Sequence, residues 1–112
     1  LRQPDVAPPA TLRAGRLEMD ARRREVRVDG RPVELTPTEF NLLQVLMQQA
    51  GYVLTRSELA RLALGIDFEG VERTLDSHIR NLRQKIEPDP ANPIYVQTVY
   101  GVGYRLAEEA TS

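Results

Sequence analysis

The segment 72–87, "ERTLDSHIRNLRQKIE", is the feature that most restricts what this chain can fold into. On a helix with about 100° per residue, its aliphatic side chains fall within one narrow sector. They are Leu75, Ile79, Leu82 and Ile86. A stripe of this kind predicts a helix that packs one face on a core, and Pro88 marks its end.

The face opposite the stripe is basic and rich in amides. Arg73, Ser77, Arg80 and Gln84 lie there, and the edges carry Asp76, Asn81 and Arg83. From Arg73 to Lys85 there are four basic residues and one acid, 4 − 1 = +3, whereas the whole chain has a net charge of −1. Arg, Asn, Gln and Ser read base edges and hold phosphates. Because every surface helix has a polar face, a DNA-contacting face and a merely solvated face both remain open.

Two further helices precede this one. Thr36 and Glu39 form a capping box around Pro37, a residue favoured at the first helical position. Thr55 and Glu58 repeat the pattern. Both are therefore predicted helix starts, and the second and third helices form a helix-loop-helix pair.

Short alternating segments flank the helices. Apolar and polar residues alternate over 12–35, with turn signals at Asp20-Ala21 and Asp29-Gly30, which predicts a small antiparallel sheet. Near the C-terminus, two β-rich runs surround Gly101 and Gly103 and predict a hairpin. The order of sheet, three helices and hairpin is that of an α+β winged helix-turn-helix, in which one helix enters a DNA groove and the hairpin contacts the flank. The hairpin directly downstream favours DNA contact over a merely solvated face.

Composition excludes several other functions. The 112 residues contain no cysteine and one histidine, and no apolar run approaches the ~20 residues of a membrane span. No catalytic motif, nucleotide loop or metal-ligand spacing is present, so we expect a cytoplasmic protein that is not an enzyme, needs no cofactor or metal and has no membrane partner. The acidic net charge favours one alternative, a winged helix that serves as a protein-protein interaction module.

The chain divides into three parts by composition. Residues 1–11 are Pro-rich and are interpreted as an inter-domain linker, residues 12–108 as the winged-helix domain, and residues 109–112 as a tail. A start at Leu1 rather than Met is typical of a segment of a longer protein, which is our expectation here.

Three motifs in register resemble one known family. "LTPTEFNLLQVLMQQAGYVLTRSELARLALG", "ERTLDSHIRNLRQKIE" and "VQTVYGVGYRL" are similar to the C-terminal effector domain of OmpR/PhoB-family two-component response regulators. The resemblance implies a winged helix preceded by a four-stranded antiparallel sheet. It also implies an N-terminal receiver domain, absent from this chain, that a sensor kinase phosphorylates in a phosphorelay. The implied partners are double-stranded DNA and RNA polymerase. We expect a dimer on DNA and a monomer for the isolated fragment.

The resemblance also implies roles for individual residues. In the recognition helix, the positions that face bases or phosphates are matched by Arg73, Thr74, Ser77, Arg80, Asn81 and Arg83. In the wing they are matched by Thr98, Tyr104 and Arg105. The loop "GIDFEG", with Asp67, Phe68 and Glu69, matches the loop that contacts RNA polymerase in some members.

Two positions depart from the family pattern. Many members carry Arg at the positions of Asn81 and Tyr100. Tyr100 can hydrogen-bond a phosphate but cannot supply the positive charge that a narrow minor groove favours. From the wheel, Gln84 projects outward with the base-reading residues, and Lys85 is placed for phosphate contact.

Overall fold

The computed structural model of the protein describes residues 11–65 and 71–107, with side chains from residue 74 onward in the second range. The predicted linker up to residue 10 and the predicted tail 109–112 lie outside these residues.

A four-stranded antiparallel sheet opens the described chain. Its strands are β1 (Thr11–Ala14), β2 (Leu17–Asp20), β3 (Glu25–Val28) and β4 (Arg31–Val33), in that spatial order. The predicted turns at Asp20-Ala21 and Asp29-Gly30 connect β2 to β3 and β3 to β4. The predicted four-stranded antiparallel sheet is therefore confirmed, although β1 already begins at Thr11, which was assigned to the linker from its composition.

Three helices follow, and local signals explain where the first two begin. Helix α1 covers Pro37–Gln48, α2 covers Arg56–Leu64 and α3 covers Val71–Ile86. Both predicted capping boxes are formed, with Thr36 and Thr55 as the N-caps. Such a box satisfies two backbone N–H groups that have no partner inside the helix.

The C-terminal hairpin belongs to a larger sheet than the sequence indicated. Strands β6 (Val96–Val99) and β7 (Gly103–Leu106) form the hairpin, and β5 (Val53–Thr55), which was not predicted, pairs with the other edge of β7. A Cβ at Gly103 would overlap the carbonyl of Leu54. The glycine is thus required by the close approach of β5, and this approach ties the start of α2 to the wing.

The core lies between the helices and the two sheets. All four residues of the predicted α3 stripe are in it, each no more than 2% exposed. They pack with residues from α1, α2, the first sheet and the wing, among them Met19, Leu43, Leu59 and Leu106. Because the stripe is fully buried, the opposite face of α3 must point away from the protein.

Candidate nucleic-acid interface

The outer face of α3 presents a row of polar side chains to solvent. The exposed members are Thr74, Ser77, Arg80, Asn81 and Gln84. Within the described ranges, no hydrogen bond or ion pair joins these five side chains to another part of the protein. Their donors and acceptors are therefore available to an external partner.

Asp76 lies at the edge of this face and bonds to residues of other elements. Its neighbour one turn along the helix is Arg80, a spacing at which an acidic and a basic side chain can pair. Instead, Asp76 Oδ1 accepts a bond of 2.9 Å from Arg56 Nε and one of 2.6 Å from the Tyr104 hydroxyl. The carboxylate therefore connects α3 to the first residue of α2 and to β7.

Tyr104 is placed differently from the expectation of a DNA-contacting wing residue. Its side chain is buried, with 4% exposure, because the ring packs in the core while the hydroxyl reaches Asp76. Burial, followed by the hydrogen bond and the charge of Asp76, raises the pKa of Tyr104. The guanidinium carbons of Arg56 and Arg83 lie 5.7 and 5.5 Å from the ring centroid, within the range of cation–π attraction.

Arg83 and Thr98 also bond to each other across elements. Arg83 donates to the carbonyl of Val96 at 3.0 Å and to Thr98 Oγ1 at 2.7 Å. Both were predicted to contact DNA. These bonds hold α3 against β6, a structural role that was not predicted from the sequence.

Lys85 was predicted to contact phosphate, and the structure gives it a partner within the protein. Its ammonium lies 2.7 Å from Oε1 of Glu39, the capping-box residue of α1, whose side chain is only 3% exposed. Burial alone would raise the pKa of Glu39. The bond from Lys85, the backbone N–H of Thr36 and the charge of Lys85 outweigh burial, so the pKa lies below its usual 4.5.

Replacing Lys85 with methionine should lower the free energy of unfolding at pH 7 by ~1 kcal/mol, because a buried carboxylate loses its charged donor. The stabilisation from Glu39 is present above its unfolded pKa and is lost as the pH falls through its lower folded pKa. The difference between Lys85→Met and the parent should therefore shrink at pH 3. Urea unfolding at both pH values measures it. In a Glu39→Gln background, the effect of Lys85→Met on the free energy of unfolding should be nearly independent of pH. If Lys85→Met lowered the free energy of unfolding equally at both pH values in the parent background, the proposed role of the ion pair would be contradicted.

The tip of the wing is open to solvent. Tyr100 is 91% exposed and Val102 is 46% exposed, and Gly101 has the positive φ of +80° that the turn requires. Arg105 lies nearer the base of the wing, where it donates to Gln97 Oε1 across the strands at 3.0 Å. Of the predicted wing residues, Tyr100 therefore projects furthest.

A buried carboxylate directly after α3 escaped sequence reasoning altogether. Glu87 is 7% exposed, and its two oxygens accept bonds of 2.8–3.1 Å from the backbone N–H groups of Ile94, Tyr95 and Val96. It closes the loop between α3 and β6 and sets where the wing begins. A Glu next to Pro88 carried no local signal of this role.

Part of the predicted site is outside the described structure. The proposed polymerase-contact residues Asp67, Phe68 and Glu69 fall between the two described ranges, and the side chain of Arg73 is likewise not described. Among the residues that are described, no cluster of His, Asp and Glu is suited to hold a metal ion. The same part of the chain contains no helix with the length and apolarity needed to cross a membrane.

Comparison with known proteins agrees with this geometry. The family described as "Transcriptional regulatory protein, C terminal" matches residues 30–106. The chain is 48% identical over 95 residues to the sensory transduction protein RegX3 of Mycolicibacterium smegmatis, covering 85% of this chain and 42% of that protein. It thus spans less than half the length of the curated relatives it matches.

Solved structures show the same fold. The Thermotoga maritima response regulator DrrB, an OmpR/PhoB homologue, is 33% identical with a TM-score of 0.79, covering 88% of this chain and 44% of that one. The DNA-binding domain of Klebsiella pneumoniae RstA, in complex with the RstA box, is 30% identical with a TM-score of 0.80, covering 88% and 98%. The matched family model spans most of the chain, and both comparisons agree with it. The chain therefore belongs to the family of C-terminal transcriptional regulatory domains, as a winged helix of the OmpR/PhoB response-regulator type.

Proposed function

We propose that this domain binds double-stranded DNA sequence-specifically as the output domain of a response regulator, with α3 in the major groove and the wing on the flanking backbone. One observation carries the proposal. The outer face of α3 exposes five polar side chains that have no internal partner in the described ranges, while its inner face is fully buried.

The dimensions and chemistry of α3 suit the major groove. Its 16 residues span ~24 Å, enough to lie across a groove ~12 Å wide. In this proposal Arg80 bonds bidentately to guanine and Asn81 to adenine. Thr74, Ser77 and Gln84 complete the reading face, and Arg73 holds phosphate. The RstA DNA-binding domain was solved in complex with the RstA box, which supports DNA binding by similarity.

The wing and the helix edge take supporting roles in this proposal. Tyr100 at the exposed tip contacts the phosphate backbone, and Arg105 adds charge near the base of the wing. The polar groups of Arg83, Thr98 and Tyr104 are engaged within the protein, so they act chiefly by holding the wing against α3. The ammonium of Lys85 is engaged with Glu39, so Lys85 acts chiefly by holding α3 against α1.

The wider regulatory role rests on the relatives. We infer a receiver domain that a sensor kinase phosphorylates, and a dimer on two adjacent half-sites about one helical turn apart. The contact of Asp67, Phe68 and Glu69 with RNA polymerase rests on the family resemblance alone.

The salt dependence of DNA binding tests the proposed function. About 4–6 phosphate contacts by the monomeric domain should give a slope of log K against log salt of about −4 to −5. Fluorescence anisotropy on duplexes selected from a random pool measures both the slope and the preferred sequence. A flat response and an unselective pool would instead favour a protein-protein interaction module, the alternative suggested by the net charge of −1.

A further inference from the structure

Asp76 places a negative charge beside a surface that we propose binds DNA. Its side chain is 44% exposed and lies next to the exposed row of α3. A carboxylate there repels phosphates and weakens binding to any duplex. We therefore expect this carboxylate to have another role that compensates for the lost DNA affinity.

The first part of this role concerns Arg56, the ion-pair partner of Asp76. Arg56 is the first residue of α2, its side chain is 38% exposed, and its Nε is 2.9 Å from Asp76 Oδ1. The hydrogen bond and charge of Asp76 raise the pKa of Arg56. Asp76 adjoins Ser77 of the exposed row, so Arg56 is held at the edge of the surface that we propose binds DNA. While it is paired with Asp76, its charge is largely neutralised.

The second part of this role is to fix the relative positions of α2, α3 and the wing. The same Oδ1 atom accepts the bond of 2.6 Å from Tyr104, whose ring centroid is 5.7 Å from the guanidinium carbon of Arg56 and 5.5 Å from that of Arg83. Arg83 in turn bonds to Val96 and Thr98 of β6. The Asp76 carboxylate thus joins α3 to the start of α2 and to β7, while Arg83 joins α3 to β6.

We propose that Asp76 is a specificity-determining residue that withholds Arg56 from DNA phosphates and holds α2, α3 and the wing in one fixed geometry. The first effect weakens binding to every duplex alike, and the second favours the duplex that fits the fixed geometry. Charge withheld from the backbone removes affinity that carries no sequence information. A fixed geometry lowers the ordering cost only for a duplex that fits it. This inference rests on the proposed DNA-binding function.

The variant Asp76→Asn keeps the shape of the side chain and removes its charge. Binding to an arbitrary duplex should tighten about two- to five-fold, the range of an exposed ion pair. The salt slope should steepen by ~0.9 for one added phosphate contact. Affinity for the preferred site should rise less, so the ratio of the two affinities should fall. Anisotropy titrations on both duplexes at several salt concentrations measure all three.

Two matched variants test the withheld charge of Arg56 and the fixed geometry separately. Arg56→Gln in the Asp76→Asn background should abolish the gain on arbitrary DNA and restore the parental slope, because the released charge is gone. Tyr104→Phe, which changes no charge, should lower the preference ratio without steepening the slope. If the gain from Asp76→Asn persisted in the double variant, Arg56 would not be the released group and the proposal would be overturned.

Arg56→Gln alone gives a test that does not depend on the folding of the Asp76 variant. Because Arg56 is withheld in the parent protein, this change removes no phosphate contact, so the salt slope should stay unaltered. Affinity for arbitrary DNA should fall, because the Asp76 carboxylate is left unpaired beside the phosphates. A slope flatter by ~0.9 would mean that Arg56 already contacts a phosphate, which contradicts the inference. Absence of salt-dependent binding in the parent itself would instead reject the underlying DNA-binding function.

Discussion

Replacing Glu87 with alanine should lower the free energy of unfolding by ~3 kcal/mol, a large part of the 5–15 kcal/mol typical of single domains. The carboxylate accepts from three backbone N–H groups, those of Ile94, Tyr95 and Val96, and is 7% exposed. Alanine leaves these donors without an acceptor in a place that water enters poorly. Each buried donor without a partner costs ~1–3 kcal/mol, and partial relaxation of the loop reduces the sum. Denaturant unfolding at pH 7 measures the loss.

Glu87→Gln is the matched control for this change. Its amide keeps one acceptor oxygen and the shape of the side chain but turns the second acceptor into a donor. It should therefore cost less than alanine, ~1–2 kcal/mol. Asp89→Ala, which removes an exposed carboxylate two residues along the same loop, should cost less still. Equal, small losses for all three would show that the buried bonds of Glu87 contribute little.

Replacing Arg80 or Asn81 with alanine should weaken binding to the preferred duplex by ~1–3 kcal/mol and flatten the selected motif at one base position. Both side chains are exposed on the outer face of α3, while Ile79 and Leu82 beside them in the sequence are fully buried. Without its pair of hydrogen bonds to a base edge, the protein no longer discriminates at that base pair, and the other positions keep their preference. Anisotropy on the preferred duplex and repeated selection from a random pool measure both effects.

Arg22→Ala is a control for the charge change. Arg22 is an exposed arginine in the turn between β2 and β3, outside α3. Its removal should leave the selected motif unaltered and affect affinity only slightly, as expected of a distant charge screened by salt. If Asn81→Ala also left every position of the motif unchanged, α3 would not read bases through that residue, and the reading face would have to be reassigned.

Structural features that depend only on residues close together in the chain could be predicted from the sequence. The capping boxes at Thr36 and Thr55 specify where α1 and α2 begin, because their donors and acceptors are three residues apart. The buried stripe of α3 followed equally directly from helical periodicity, since Leu75 and Ile86 lie on the same side of any regular helix through them. These features predicted the winged helix and the outward face of its third helix.

Only the tertiary structure decided which polar residues are engaged inside the protein. Lys85 and Glu39 are 46 residues apart, Arg56 and Asp76 are 20 apart, and Tyr104 and Asp76 are 28 apart. The sequence states that these groups are charged or polar but not which of them meet, because long-range pairing is set by how the helices and sheets pack. The same holds for β5, whose three residues become a strand by pairing with β7. Helical periodicity places Arg80 opposite the buried stripe, whereas only the packing of the hairpin decides that Arg83 bonds to β6.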